Sequence, residues 1–135
     1  MAHWLMKTEP KKYAFGDLVR DGSTVWDGVR NAQAAIFLKT MRLGEEAFIY
    51  HSQEGLEVVG IARIVREAFP DPTDETGRAV AVEIAPVRLL QRPVPLSAMR
   101  AAPELAQMRM FRQFRLSVTP ITDEEWAAIL KLAGQ

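Results

Sequence analysis

Cysteine is absent from the 135 residues, which excludes disulfides, thiol catalysis and thiolate metal sites and removes any sequence argument for an oxidising compartment. Histidine is nearly absent. His3 and His51 are the two present, too few for a histidine-based metal site without carboxylates spaced to complete it. No metal and no cofactor is therefore expected. Apolar runs stay far below the roughly eighteen residues a membrane helix needs, and MAHWLMKTEP reaches Glu9 and Pro10 too early for a signal peptide. A soluble, cytoplasmic protein with no membrane partner is the expectation. Also missing are a phosphate-cradling glycine loop, a G-x-S-x-G elbow and an H-E-x-x-H helix. Excess charge of one sign is lacking too, since 17 basic residues balance 17 acidic ones. A balanced total ordinarily argues against a nucleic-acid partner.

Hydrophobic residues make up 48% of the chain, enough to close one core without a staple, so residues 1–135 are expected to form a single domain. The charge is unevenly placed. From Arg88 to Arg115 run six arginines, Arg88, Arg92, Arg100, Arg109, Arg112 and Arg115, against Glu104 alone. Such a run is usually a solvated surface, and it is also the form a phosphate-contacting face takes.

The stretch Val25 to Ala35 organises the rest. Asp27-Gly28 signals a turn, and Asn31 stands where a helix N-cap would, ahead of Ala32 to Leu38. Trp26 is thus expected on a loop held by a helix, either as a core anchor or as a binding-site wall. That helix is predicted to continue to Gly44, with Ile36, Leu38, Met41 and Leu43 on one face and Lys39 and Arg42 toward water.

Strands are predicted near 3–7, 46–52, 58–69, 79–90 and 116–119. Alternation puts Trp4 with Met6, and Phe48 with Tyr50, against Ile49 and His51. Gly60 marks a bulge or a close backbone approach, and Pro86 permits only a bulge or an edge. Tyr13 to Arg20 is too short to stand alone as a helix. Pro93 to Ser97 opens short helices, and Pro103-Glu104 fits a helix start. Thr122 with Glu125 has capping-box spacing, opening a helix that turns Trp126, Ile129, Leu130 and Ala133 inward. Strands and helices do not alternate regularly, which favours an α+β fold, a small mixed barrel with short helices outside it, over a doubly wound sheet.

The polar and aromatic residues left over suit recognition: Thr8, Trp26, Asn31, Tyr50, His51 and Ser52, with Arg109, Arg112 and Arg115. Aromatic faces stack on bases, amides and hydroxyls read base edges, and arginines hold phosphate. His51 is the one acid–base candidate, and a lone strand histidine is more often structural.

The stretches WLMKTEP, WDGVRNAQA, FIYHS, VVGIARIVREAFPDPT, PELAQM and RQFRLSVTPITDEEW, in this order, resemble the EVE domain family of the PUA-like superfamily, which includes the thymocyte nuclear protein type. The resemblance implies a PUA-like mixed β pseudobarrel with surrounding short helices. It implies a non-enzymatic module that takes a modified base, foremost modified cytosine in DNA, flipped into an aromatic-lined pocket. Thr8, Trp26, Val29, Asn31, Tyr50, His51 and Ser52 would form that pocket, with Arg30, Arg109, Arg112 and Arg115 on phosphate. The family often has Tyr and Arg where this chain has Ala32 and Ala35, and a small residue where it has Phe114. Two other readings stand beside this one: a modified-RNA reader, and an enzyme on modified nucleosides using His51. A nuclease or helicase partner protein is left open.

Overall fold

A computed structural model describes residues 1–134. In chain order the elements are β1 (His3–Thr8), α1 (Phe15–Asp21), β2 (Thr24–Trp26), α2 (Ala32–Thr40), β3 (Glu46–His51), β4 (Glu57–Pro70), β5 (Val80–Pro95), α3 (Leu96–Ala101), α4 (Arg109–Arg112), β6 (Val118–Ile121) and α5 (Asp123–Leu132). The six strands form one sheet in the order β2-β5-β4-β3-β1-β6. β1 runs parallel to β3, and every other pairing is antiparallel. The β4–β5 ladder changes register between Val58 and Gly60, at Ile61/Ala62, and twice more before Phe69. Such bulges bend and twist a strand pair, so the sheet curls. It does not close, because β2 and β6 remain its two edges. The result is the PUA-like mixed pseudobarrel, with six strands where the sequence suggested five.

Both faces of the curled sheet are covered, as alternation predicts. Trp4, Met6, Ala47 and Ile49 pack with Phe15 and Leu18 of α1 and with Ala34 and Leu38 of α2. Leu5, Phe48, Tyr50 and Ile61 pack with Met99 of α3 and with Trp126 and Ile129 of α5. The α5 capping box forms: the Thr122 hydroxyl accepts the Glu125 N–H at 3.1 Å, and the Glu125 carboxylate accepts the Thr122 N–H at 3.0 Å. Leu130 is only half-buried, at the margin of this second core.

Several boundaries differ from expectation. α2 stops at Thr40, not near Gly44, and Ile36 and Leu43 are 53% and 55% exposed. The cause is Glu45. Its buried carboxylate accepts the Trp4 indole N–H at 2.9 Å, the Arg42 N–H at 2.9 Å and the Ala2 N–H at 3.0 Å, which draws residues 41–45 out of the helix. α1 does form, because Phe15 and Leu18 are buried, the Asp17 carboxylate takes the Ala14 N–H, and Gly22 closes its end at φ +80°. Tertiary burial supplies what its length does not. β5 continues past Leu90 to Pro95. Pro86 is accommodated where the register slips and where β2, which pairs only with Val82 to Ile84, no longer flanks β5. The last strand begins at Val118 and ends at Ile121, with Pro120 tolerated because β6 is an edge.

Gly60 is a close approach as well as a bulge. A Cβ built there would stand 2.5 Å from Cζ of the buried Phe15 ring. Gly60→Ala is expected to destabilise the protein by about 1–3 kcal/mol through overpacking, measured as a lower urea midpoint at unchanged slope. An unchanged midpoint would show that the ring yields freely.

Candidate nucleic-acid interface

An open cleft of about 1160 Å³ lies where β1 and β3 end side by side. β1 contributes Lys7 and Thr8. Tyr50 and the β3–β4 turn residues Ser52, Gln53 and Leu56 stand next to them, Thr24 to Arg30 form a facing wall, and Phe114, Arg115 and Ser117 complete the lining. This volume exceeds the roughly 300–1,000 Å³ of small-molecule pockets, and it suits a base together with part of its backbone.

Trp26 is the last residue of the edge strand β2, paired with Val82, and it packs partly buried against the first core while lining the cleft. The expected loop is therefore a strand end. Three residues carry too weak a local pattern to announce a strand. The segment just after Trp26 is held from far along the chain. The Asp71 side chain is fully buried and accepts hydrogen bonds from the Gly28 N–H (2.8 Å), Arg30 Nη1 (2.9 Å), the Thr73 N–H (2.7 Å) and Thr73 Oγ1 (2.6 Å). Arg30 Nη2 reaches Thr73 Oγ1 at 3.1 Å. Burial alone would push the Asp71 carboxyl up, but the donors from Thr73, Gly28 and Arg30 outweigh it and hold the group well below the usual carboxylate range. In sequence, Pro70 to Asp74 reads as a break after the strand. The Asp-x-Thr spacing, which closes on its own backbone as an Asx turn, was the available signal.

Thr8, Val29, Tyr50, Ser52, Arg30 and Arg115 all line the cleft with Trp26. Thr8 donates to the Tyr13 carbonyl at 2.6 Å, and its own carbonyl accepts the Ser52 N–H at 2.9 Å, which fixes this rim. Tyr50 is fully buried, and its hydroxyl has no hydrogen-bond partner among the described residues. Four expected members lie elsewhere. Asn31 is the N-cap foreseen for α2, its Oδ1 accepting the Ala34 N–H at 3.0 Å, and it is not part of the cleft lining, so the geometry does not favour the base-edge role. His51 points to the opposite side of β3 from Tyr50, where Nε2 accepts the Phe15 N–H at 3.1 Å. That bond needs a neutral ring, and burial lowers the His51 pKa against a weaker opposing pull from Glu57. The lone pair a general base would use is thereby occupied, which removes the support for an acid–base role. Arg109 lies over the Phe37 ring and bonds Gln113, and neither it nor Arg112 lines the cleft.

Lys7 was overlooked. Its ammonium donates to the Phe114 carbonyl, sits 3.9 Å from the Phe114 ring centroid and 5.8 Å from that of Tyr50, and burial lowers its pKa to about 8. The signal was present in the alternation: Lys7 shares the inward register of Leu5 in a buried strand, where an unpaired lysine is out of place.

Among the described residues no cluster of three or more His, Cys, Asp or Glu side chains converges as a metal site would.

A sequence model of the EVE domain matches residues 2–132. Human thymocyte nuclear protein 1 is 34% identical over 165 residues, covering 97% of this chain and 73% of the human protein. A protein from Rhodopseudomonas palustris, solved by NMR, superposes with a TM-score of 0.94 at 46% identity, covering 99% of this chain and 94% of that chain. The crystal structure of human THYN1 protein in complex with 5-methylcytosine containing DNA superposes with a TM-score of 0.92 at 34% identity, covering 100% and 99% of the two chains. The human and chicken relatives are named as nuclear proteins, which corrects the cytoplasmic expectation. With the family model spanning nearly all of its length and relatives above 30% identity across it, the chain belongs to the EVE domain family.

Proposed function

We propose that this chain binds DNA carrying a modified cytosine and holds that base, turned out of its stack, against Trp26 in the cleft, without chemical turnover. The observation that carries this reading is the human relative bound to 5-methylcytosine containing DNA, a chain that superposes on this one over its full length. The cleft supplies a matching chemistry: an indole at the end of an edge strand, a buried tyrosine in the opposite lining, and Arg30 and Arg115 able to meet phosphate. Extruding a base costs a few kcal/mol, and a well-filled pocket must offset that.

Trp26→Ala is the test. It is expected to remove about 1–3 kcal/mol of affinity, the range for base–aromatic stacking, measured by fluorescence anisotropy on matched duplexes with and without 5-methylcytosine. The loss should fall mainly on the methylated duplex. The variant must melt with the parent, because the indole also covers core. A folded Trp26→Ala protein that keeps the parent's full preference for methylated DNA would overturn the assignment. Incubation with modified oligonucleotides followed by mass spectrometry should return them unchanged.

A further inference from the structure

The floor of the cleft holds positive charge with nothing opposite it. Lys7 lies in the cleft 3.9 Å from the Phe114 ring centroid, while Arg100, exposed on α3 outside the cleft lining, lies 5.6 Å from that centroid, and among the described residues neither has a carboxylate within ion-pair distance. Beside Lys7 the Tyr50 hydroxyl is buried and unpaired among the described residues, and burial raises its pKa against a weaker opposing pull from Arg100, so it stays a neutral donor. A buried hydroxyl without a partner is a standing cost, and so is a half-buried ammonium without a counter-ion. Both groups can donate, and an anionic oxygen would satisfy them together.

We propose that Lys7 and the Tyr50 hydroxyl form an anion site at the floor of the cleft that receives a backbone phosphate of the bound strand. This rests on the nucleic-acid reading above and moves the phosphate contact away from Arg109 and Arg112. Tyr50 from β3 and Phe114 from the segment after α4 face Lys7, and Arg115 lines the same cleft. Around the cleft, Glu9 is paired with Lys12 at 2.8 Å, Tyr13 donates to Asp21 at 2.9 Å, Arg30 is paired with Asp71, and Asp27 lines the opposite wall outside ion-pair distance of Lys7.

Free Lys7 loses its proton near pH 8. A phosphate beside it favours the ammonium, so binding takes up a proton. Affinity is then full below pH 8 and falls, by up to tenfold per pH unit, as the pH rises through about 8. The experiment measures affinity for a 5-methylcytosine-containing duplex from pH 6.5 to 9 at constant ionic strength, for the parent, Lys7→Arg, Lys7→Met and Tyr50→Phe. The parent should show the fall. Lys7→Arg should bind with a flat profile, since arginine stays charged throughout. Lys7→Met should bind about tenfold or more weakly at pH 7 and lose about 0.9 from its log–log salt slope. Tyr50→Phe should melt no lower than the parent yet bind about tenfold more weakly, because it removes a group unpaired only in the free protein. A flat parent profile, or a Lys7→Met protein that binds like the parent, would overturn the anion site. Inorganic phosphate alone, with the Lys7 side chain followed by NMR, separates the two readings. If no duplex binds but phosphate raises the Lys7 pKa, the anion site stands and the DNA reading fails; if neither occurs, both fail.

Discussion

Replacing Trp126 by alanine is expected to cost about 3–5 kcal/mol of stability, the range for deleting a buried tryptophan side chain. The residue is only 7% exposed, and its indole stacks on Phe48 at 3.9 Å between centroids and on His3 at 4.2 Å. It ties α5 to β1 and β3 at once, so the truncation leaves a gap between layers that the capped helix cannot close by shifting alone. Urea titration followed by circular dichroism measures the effect as a large drop in midpoint. A midpoint within experimental error of the parent would mean that the second core does not depend on this stack. Because Phe48 and Tyr50 share one face of β3, some loosening of the cleft floor should accompany the loss.

Asp71→Asn is expected to cost about 3 kcal/mol, the low end for breaking a buried ion pair. Arg30, its charged partner, has a side chain 47% exposed and can return to water, whereas the Gly28 and Thr73 donors lose a charged acceptor and meet an amide that must turn one N–H toward them. Thr73→Ala, which removes one hydroxyl from the same cluster, should cost about 1 kcal/mol. The pH dependence carries the same signature. The folded carboxyl lies below its ordinary value of 3.8, so the native state favours the ionised form. The stability this contributes is fully present above that value and is lost as the pH falls below it. The parent should therefore lose stability on acidification below about pH 4, and Asp71→Asn should lose markedly less over the same interval. Equal acid sensitivity in the two proteins would show that other carboxylates carry the effect. Because Asp71 holds the backbone two residues beyond Trp26, the variant should also bind the methylated duplex more weakly at temperatures where it remains folded.

The sequence alone determined local features. The alternation that sets Trp4 and Met6 against Leu5, and Phe48 and Tyr50 against Ile49, is written in neighbouring residues, and both cores obey it. The Asn31 cap and the Thr122–Glu125 box each close over three residues, so their partners are visible within one short window. The cleft's principal residues, Thr8, Trp26, Tyr50 and Ser52, could be named from the family resemblance. Tertiary structure alone decided where polar side chains spend their hydrogen bonds. Glu45 ends α2 by meeting Trp4, 41 residues away; His51 is taken by Phe15, 36 residues away; Asp71 fastens Gly28 across 43 residues. The strand that carries Trp26 exists because β5 pairs with it, and β5 passes Pro86 because β4 slips register there. A side chain's type limits what it can donate or accept, but which partner it meets is set by chain segments brought together through folding. For that reason the partners of Glu45, of His51 and of Asp71 at Gly28 could not be read from their neighbours in sequence.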